Sequence, residues 1–338
     1  IIPSLDHLLT RSVPVTEILG LELEDLHDGD HGADGDGKSA AKEKKHPTLQ
    51  AVRPRILVTG GAGYIGSHLV RKLLESNYRV RVLDNFTYGD QGLRDIARHP
   101  RLEIIEGDVD RLGTVARAAK GVNGVIALAA LVGDAACDLD PEETTATNYE
   151  SVRLLADVCR KQGVQRLVFA SSCSVYGANS DLILNEGSWL NPVSLYARTR
   201  IQSEEVLLRH SEYFEVVILR LSTVFGLSPR MRFDLLVNTL TLHAVVNRKI
   251  VVFGGDQWRP NLHVQDAAEA FILALEAPAE KAQKGIFNVG SDESNYAILQ
   301  VAKLVKKHVP QAELEIKADI TDQRDYRVGF DKIRCLLG

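Results

Sequence analysis

The chain has 338 residues, 45% of them hydrophobic and 25% charged, with a formal net charge of −5 at pH 7. That length accommodates one large α/β unit with a second lobe, or two domains. The acidic balance speaks against a nucleic-acid partner, and no apolar run is long enough to span a bilayer, so no membrane partner is expected.

Residues 1–53 read as an N-terminal arm. Leu21 to Lys45 is rich in Asp, Glu, His, Gly and Lys and poor in core-forming residues, the composition of a solvated linker. His27, Asp28, Asp30 and His31 cluster there without a cysteine or a helical spacing, so no metal site is expected. Apolar residues of 1–20, such as Leu5, Leu8, Leu9 and Ile18, can dock on a neighbouring surface. The first residue is Ile1, not Met, which leaves room for an upstream segment. Four scattered cysteines, Cys137, Cys159, Cys173 and Cys335, form no Cys-x-x-Cys pair. They read as reduced thiols of a cytoplasmic protein, not as a disulfide framework.

From Arg55 the pattern becomes strand–helix alternation. Strands are expected at 55–59, 79–83, 102–106, 123–128, 166–170 and 216–220, with helices at 64–75, 111–119, 148–162 and 194–210. Repeated βα units of this kind imply a Rossmann-type doubly wound parallel sheet covered on both faces, here over 54–225. Residues 226–338 are less regular, with short strands at 250–253, 286–289 and 314–316 and helices at 233–246, 264–276 and 297–307. They suggest a smaller α/β substrate lobe.

The first expected strand ends in Gly60-Gly61-Ala62-Gly63-Tyr64-Ile65-Gly66 and runs straight into an amphipathic helix. Gly60 permits a turn with positive φ, Gly63 lets the backbone approach a pyrophosphate, and Gly66 lets the helix pack closely. Free N–H groups and the helix dipole then face the phosphates. Asp84 ends the second strand at the distance expected of a ribose-binding carboxylate, and it would repel a 2′-phosphate. This favours NAD. Asn85 follows it. After the third strand, Asp108, next to Val109, can hold the adenine amino group. Leu128, Ala129 and Ala130 after the fourth are small enough to let a cofactor cross the sheet, with plain packing as the alternative.

The fifth strand ends in Ala170-Ser171-Ser172-Cys173-Ser174-Val175-Tyr176-Gly177, a run of hydroxyls that is costly to bury without partners. About twenty residues later, Tyr196 and Arg200 stand four apart on one helical face, so phenol and guanidinium can converge. A neighbouring cation favours a phenolate, and such a tyrosine can serve as a general base.

Together with Gln257-Trp258-Arg259-Pro260-Asn261-Leu262-His263-Val264-Gln265-Asp266, these segments make residues 54–338 closely resemble the extended short-chain dehydrogenase/reductase family, specifically its NAD-dependent nucleotide-sugar epimerase/dehydratase group. The resemblance implies that Tyr196 is the acid/base, that Ser172 bonds the same sugar oxygen, and that the cation at 200 bonds the nicotinamide ribose. It implies that Asn148 supports the cofactor, that Leu221 lies beside it, that Thr223 contacts substrate, and that Arg259 and Arg324 clamp a diphosphate, a task suited to the guanidinium fork. Arg230 or Arg232 can reach a phosphate or sugar acid, with a solvated basic loop as the alternative. Cys173 stands among the possible substrate contacts, with a small buried thiol as the alternative.

Two departures stand out. The family has lysine where this chain has Arg200, which puts turnover in question. Sugar dehydratases carry an Asp-Glu pair where this chain has Cys173 and Ser174, which disfavours elimination of water. The expected function is therefore a C4 epimerase of a nucleotide-diphosphate sugar. A 4-ketoreductase, a dehydratase or an NAD-binding protein without turnover are the alternatives. Relatives imply a homodimer through helices near 148–162 and 194–210.

Overall fold

The computed structural model describes residues 53–318 and 322–338; the arm, with His27, Asp28, Asp30 and His31, lies outside the described residues. Its strands in chain order are β1 (Arg55–Thr59), β2 (Arg79–Asp84), β3 (Leu102–Glu106), β4 (Gly124–Ala127), β5 (Arg166–Ser172), β6 (Ala178–Leu184) and β7 (Glu215–Leu221). They continue as β8 (Thr223–Phe225), β9 (Lys249–Phe253), β10 (Trp258–His263), β11 (Gly285–Val289), β12 (Asn295–Ala297), β13 (Glu313–Lys317) and β14 (Asp325–Val328). The main helices are α1 (Gly66–Glu75), α2 (Leu112–Ala119), α3 (Ser151–Gln162), α4 (Leu195–His210), α5 (Leu236–Val246), α6 (Val264–Glu276), α7 (Ile298–His308) and α8 (Asp331–Leu336).

Seven strands form one sheet in the order β11-β7-β5-β4-β1-β2-β3, every neighbouring pair parallel. Side chains alternate between its faces, as a two-residue repeat requires. On β1, Ile56 and Val58 join Leu69, Val70 and Leu73 of α1 and Ala267 and Phe271 of α6 on one face. Leu57 points the other way, into Val115 and Ala118 of α2, Leu155 and Cys159 of α3, and Leu207 of α4. Both faces are thus sealed by helices, which is why the central strands read as unbroken apolar runs.

Strand order reverses between β1 and β4. At such a switch point the helices that follow the two strands leave on opposite sides, opening a crevice at the carboxyl ends. Thr59 lies level with Ala127 and with Leu83, so the glycine turn, Asp84 and Leu128 leave the sheet at the same edge.

The second lobe has its own small core of Val237, Leu240, Ala244, Ile250, Val252, Val301, Ala302 and Val305. It carries the three-stranded sheet β12-β10-β8 and the pair β13-β9. One strand expected in that lobe differs: β11 instead extends the central sheet beside β7. β6 and β14 pair with each other in segments without clear alternation, held by Tyr326, Val328 and Leu184 around Tyr176. Among the described residues no helix is long and apolar enough to cross a membrane, and no group of His, Cys, Asp and Glu is arranged to hold a metal.

Candidate functional site

The glycine turn is built by close backbone approach. Gly60 has φ +73° and donates its N–H to Leu83 O at 2.9 Å. A Cβ on Gly60 would stand 2.8 Å from Ala129 N, and one on Gly66 would fall onto the Gly60 carbonyl and 2.7 Å from Gly61 Cα. Gly63 is different: a Cβ there would meet only Gly60 O, at 3.2 Å. α1 begins at Ile65–Gly66 with no side-chain cap. Ser67 N–H donates to Gly63 O at 2.9 Å and Leu69 N–H to Ile65 O at 3.0 Å, so it is the N–H groups of the turn just before them that can meet a ligand.

Asp84 braces the turn. Its carboxylate accepts from Ala62 N and from Phe86 N, both at 2.9 Å, and keeps lone pairs for further donors. Asn85 donates to Asp108 Oδ1 at 2.6 Å, so these two are brought together. Val109 packs against the core face that holds Ile105 and Val115. Leu128 and Ala170 are half-buried against the opposite face, where Leu221 is buried. The glycine cradle, the uncapped helix and Asp84 fit a dinucleotide.

Asn148 is fully buried in a π-helical turn at Ala146–Glu150. Its amide donates to Leu131 O and accepts from Leu131 N, both at 2.8 Å. It therefore fixes the loop that follows Ala129 and Ala130, and acts on any ligand there through that loop.

At the end of β5, Ser172 Oγ accepts from Ser174 N at 3.1 Å as the chain enters a 3-10 turn at Cys173–Tyr176. Ser194 caps α4 by accepting from Ala197 N, which starts the helix two residues before Tyr196. Tyr196 is half-buried, and the Arg200 guanidinium lies 5.3 Å from its ring centroid. Arg200 is almost wholly buried and donates to Ala170 O at 3.3 Å and Asn148 O at 3.0 Å. Its Nε has no hydrogen-bond partner among the described residues. Burial pulls its pKa below the ordinary value, although an arginine remains charged.

Cys173 is fully buried, and its thiol donates to Arg220 O at 3.2 Å. Burial pushes that thiol up to about 12. This is the small buried thiol, not a group open to substrate. Arg232 is paired with Asp234, at 3.1 Å from its Nε, so its fork is occupied within its own loop. Thr223 is half-buried on β8, level with Asn261.

Arg259 and Arg324 do converge, on a residue that motif reasoning missed. Asp322 accepts from Arg324 Nε and Nη2 at 2.9 and 2.7 Å and lies 2.8 Å from Arg259 Nη2. Asp134 pairs with Arg324 Nη1 at 2.9 Å from across the site. Burial works to raise the Asp322 pKa, but the two arginines overcome it and hold the carboxyl well below the usual range.

A second unforeseen group lies behind the hydroxyls. Arg220 donates to Glu204 at 3.0 and 2.7 Å and to Tyr176 Oη at 3.0 Å, while Ser171 Oγ donates to Glu204. Two signals were present in the sequence. Tyr196, Arg200 and Glu204 recur at i, i+4 and i+8, and Arg220 interrupts an apolar strand, where a charge needs a partner.

The NAD dependent epimerase/dehydratase family matches residues 56–290. A UDP-glucose 4-epimerase of Corynebacterium glutamicum is 30% identical over 270 residues, 75% of this chain and 80% of the relative. The Thermotoga maritima UDP-glucose 4-epimerase with UDP-glucose superposes with TM-score 0.76 at 27% identity, over 84% of this chain and 92% of that one. A dTDP-glucose 4,6-dehydratase from Streptomyces venezuelae, with NAD and TYD bound, gives 0.76 at 27% identity, over 84% and 91%.

Proposed function

Since the chain belongs to the NAD-dependent epimerase/dehydratase family, with NAD as its cofactor, we propose that it is a nucleotide-sugar epimerase acting at C4. The observation that carries this reading is the pair of residues after Ser172. Cys173 is a buried thiol with its pKa near 12, and Ser174 is a buried hydroxyl. Neither can supply the acid and base that eliminate water, whereas epimerisation needs neither.

Bound NAD would supply a reversible hydride store for C4. The chain's own residues would do the rest. Tyr196 takes the C4 hydroxyl proton and gives it back, Ser172 bonds the same oxygen, and Arg200 keeps a cation against the tyrosine ring. Ala62 N–H and Asp84 hold the glycine turn in place around the dinucleotide. Arg259 and Arg324 would bind the diphosphate of the nucleotide sugar, which leaves the 4-keto sugar tethered while it turns its other face.

A reading without turnover draws on one observation: Arg200 spends two donors on backbone carbonyls of Ala170 and Asn148. We place the protein in the cytoplasm, which its four unpaired cysteines support. We also propose a homodimer through α3 and α4, whose outer faces carry Arg153, Asp157 and Arg160, and Gln202, Glu205 and Arg209. A single monomeric species by light scattering would remove the dimer.

The function is tested by incubating the protein with UDP-, GDP-, CDP- and dTDP-hexoses and following C4 configuration by NMR. Interconversion of C4 epimers without added cofactor is the expected outcome, and Tyr196→Phe should slow it about 10²- to 10⁴-fold. Strict dependence on added NAD(P)H would replace the epimerase with a reductase. No turnover in the native protein, but turnover in Arg200→Lys, would favour the reading without activity.

A further inference from the structure

The segment that joins β8 to α5 does not stay within its own lobe. At its start, Gly226 O accepts from the Tyr64 hydroxyl at 2.5 Å, and Asn238 donates to that hydroxyl at 3.1 Å. Leu227 O is bonded by His68 at 2.9 Å, and Ser228 Oγ donates to Tyr64 O at 2.8 Å. Met231 packs against the core face of β1 and α1. Next, the Arg230 guanidinium lies 4.1 Å from the ring centroid of Tyr88, in the loop after β2. At its end, the Asp234 carboxylate comes within 3.4 Å of where a Cβ on Gly133 would stand, in the loop after β4.

One short segment therefore touches the loops that leave β1, β2 and β4 in turn. Those are the strand ends beyond which a dinucleotide lies in a sheet of this topology. Most of its anchors are hydrogen bonds to α1 and the glycine turn, but its hold on the β2 loop is the stack of one side chain on another. Tyr88 is 52% exposed and Arg230 half-buried, so neither is part of a core. Burial and Arg232 lower the pKa of Arg230, while Tyr88, Asp234 and Asp84 act against them, which puts the guanidinium within the field of Asp84.

We propose that Ser228–Asp234 is a strap across the bound dinucleotide, clasped by Arg230 on Tyr88, and that opening this clasp limits release of NAD. The clasp joins a lobe that meets substrate to a loop that meets cofactor. It keeps the dinucleotide resident between turnovers, and it would do so whatever sugar the protein accepts. It rests on the family's use of NAD and not on the C4 reaction.

The test needs no sugar. Protein is loaded with NAD, freed of excess by gel filtration, and sampled over time for nucleotide still bound, in the wild type and in Arg230→Ala, Tyr88→Ala, Tyr88→Phe and the double alanine variant. Matching thermal midpoints of the NAD-free proteins check that all are folded. Loss of a cation–π contact should speed release about 2- to 30-fold in each alanine variant. The double variant should be no faster than the faster single one, because both remove one contact. Tyr88→Phe keeps the ring face and should release NAD at the wild-type rate. Wild-type release from Arg230→Ala, release from Tyr88→Phe as fast as from Tyr88→Ala, or independent effects of the two alanines would each overturn the strap. So would a wild-type protein that retains no NAD after loading, an outcome that leaves the C4 proposal to its own assay.

Discussion

The two ends of the proposed site are built by different means. At the cofactor end, Gly60, Gly66 and Asp84 act through backbone: a positive φ, two close approaches that a Cβ would block, and a carboxylate held by two N–H groups. At the proposed substrate end, Arg259 and Arg324 would act through charge, and both are held by Asp322, with Asp134 on the far side of Arg324. Backbone geometry is fixed once the chain is folded, whereas a paired guanidinium must exchange one anion for another when a ligand arrives. The cofactor end is preformed, and the substrate end is preformed but occupied by its own counter-charge.

Between them stands the buried pair of Glu204 and Arg220, whose side chains are 4% and 3% exposed. It joins α4, which bears Tyr196, to β7 and to Ser171 beside Ser172. Removing one partner of such a pair leaves the other charge stranded, which costs about 3–5 kcal/mol. Glu204→Gln should lower unfolding free energy by that amount in urea titrations and weaken both ends of the site together. Adding Arg220→Met should recover most of the loss, because the stranded charge is then gone. If Glu204→Gln spared one end, the two would be independent and the seam would lie elsewhere.

A smaller effect is expected where only the cofactor end is touched. In Gly66→Ala the new methyl meets the Gly60 carbonyl and Gly61 Cα, both backbone atoms that cannot swing aside. Overpacking of this kind costs about 1–3 kcal/mol. The turn must open to admit the methyl, so NAD binding by calorimetry should fall below detection while binding of free UDP is kept. Gly63→Ala, with its one neighbour at 3.2 Å, should be milder in stability. Equal stability losses at the two positions would argue against a turn held by close backbone approach.

This contrast also governs what was legible in the sequence. The turn, Asp84 and the pair of Tyr196 and Arg200 lie within short stretches whose spacing maps directly onto a strand end or one helical face. The central strands were legible for the same reason, since sealing both faces leaves an unbroken apolar run. Asp322 was not legible, because its meaning depends on Arg259, 63 positions earlier in the chain and on β10. β6 and β14 escaped because each becomes a strand only by pairing with the other, Asp325 with Ala178 and Val328 with Leu184, across a far longer stretch of chain. β11 was visible as a strand, yet its place beside β7 is a matter of topology that a local pattern does not carry. Cys173 sits beside the proposed catalytic Ser172 by number, and only the turn after Ser172 sends its side chain into the core.

The smallest expected change is the one that separates the two ends most finely. Asp322 is ionised in the folded protein with its pKa held below the ordinary carboxyl value, first against burial and then by Arg324 and Arg259. Above about pH 4 it is ionised in both folded and unfolded chains, so its contribution to stability is complete there. As pH falls below about 4 the unfolded chain takes up the proton first, and the contribution shrinks until the folded carboxyl is protonated too. Asp322→Asn should therefore flatten part of the acid limb of thermal midpoint against pH, while leaving the cofactor end alone. It should also release two guanidiniums from a competing anion. A partly exposed ion pair of this kind is worth a factor of about 2 to 5, so UDP should bind that much more tightly to Asp322→Asn at neutral pH, with NAD affinity unchanged. Weaker UDP binding would mean that Asp322 aims the arginines instead of occupying them, and the substrate end would then be as preorganised as the glycine turn.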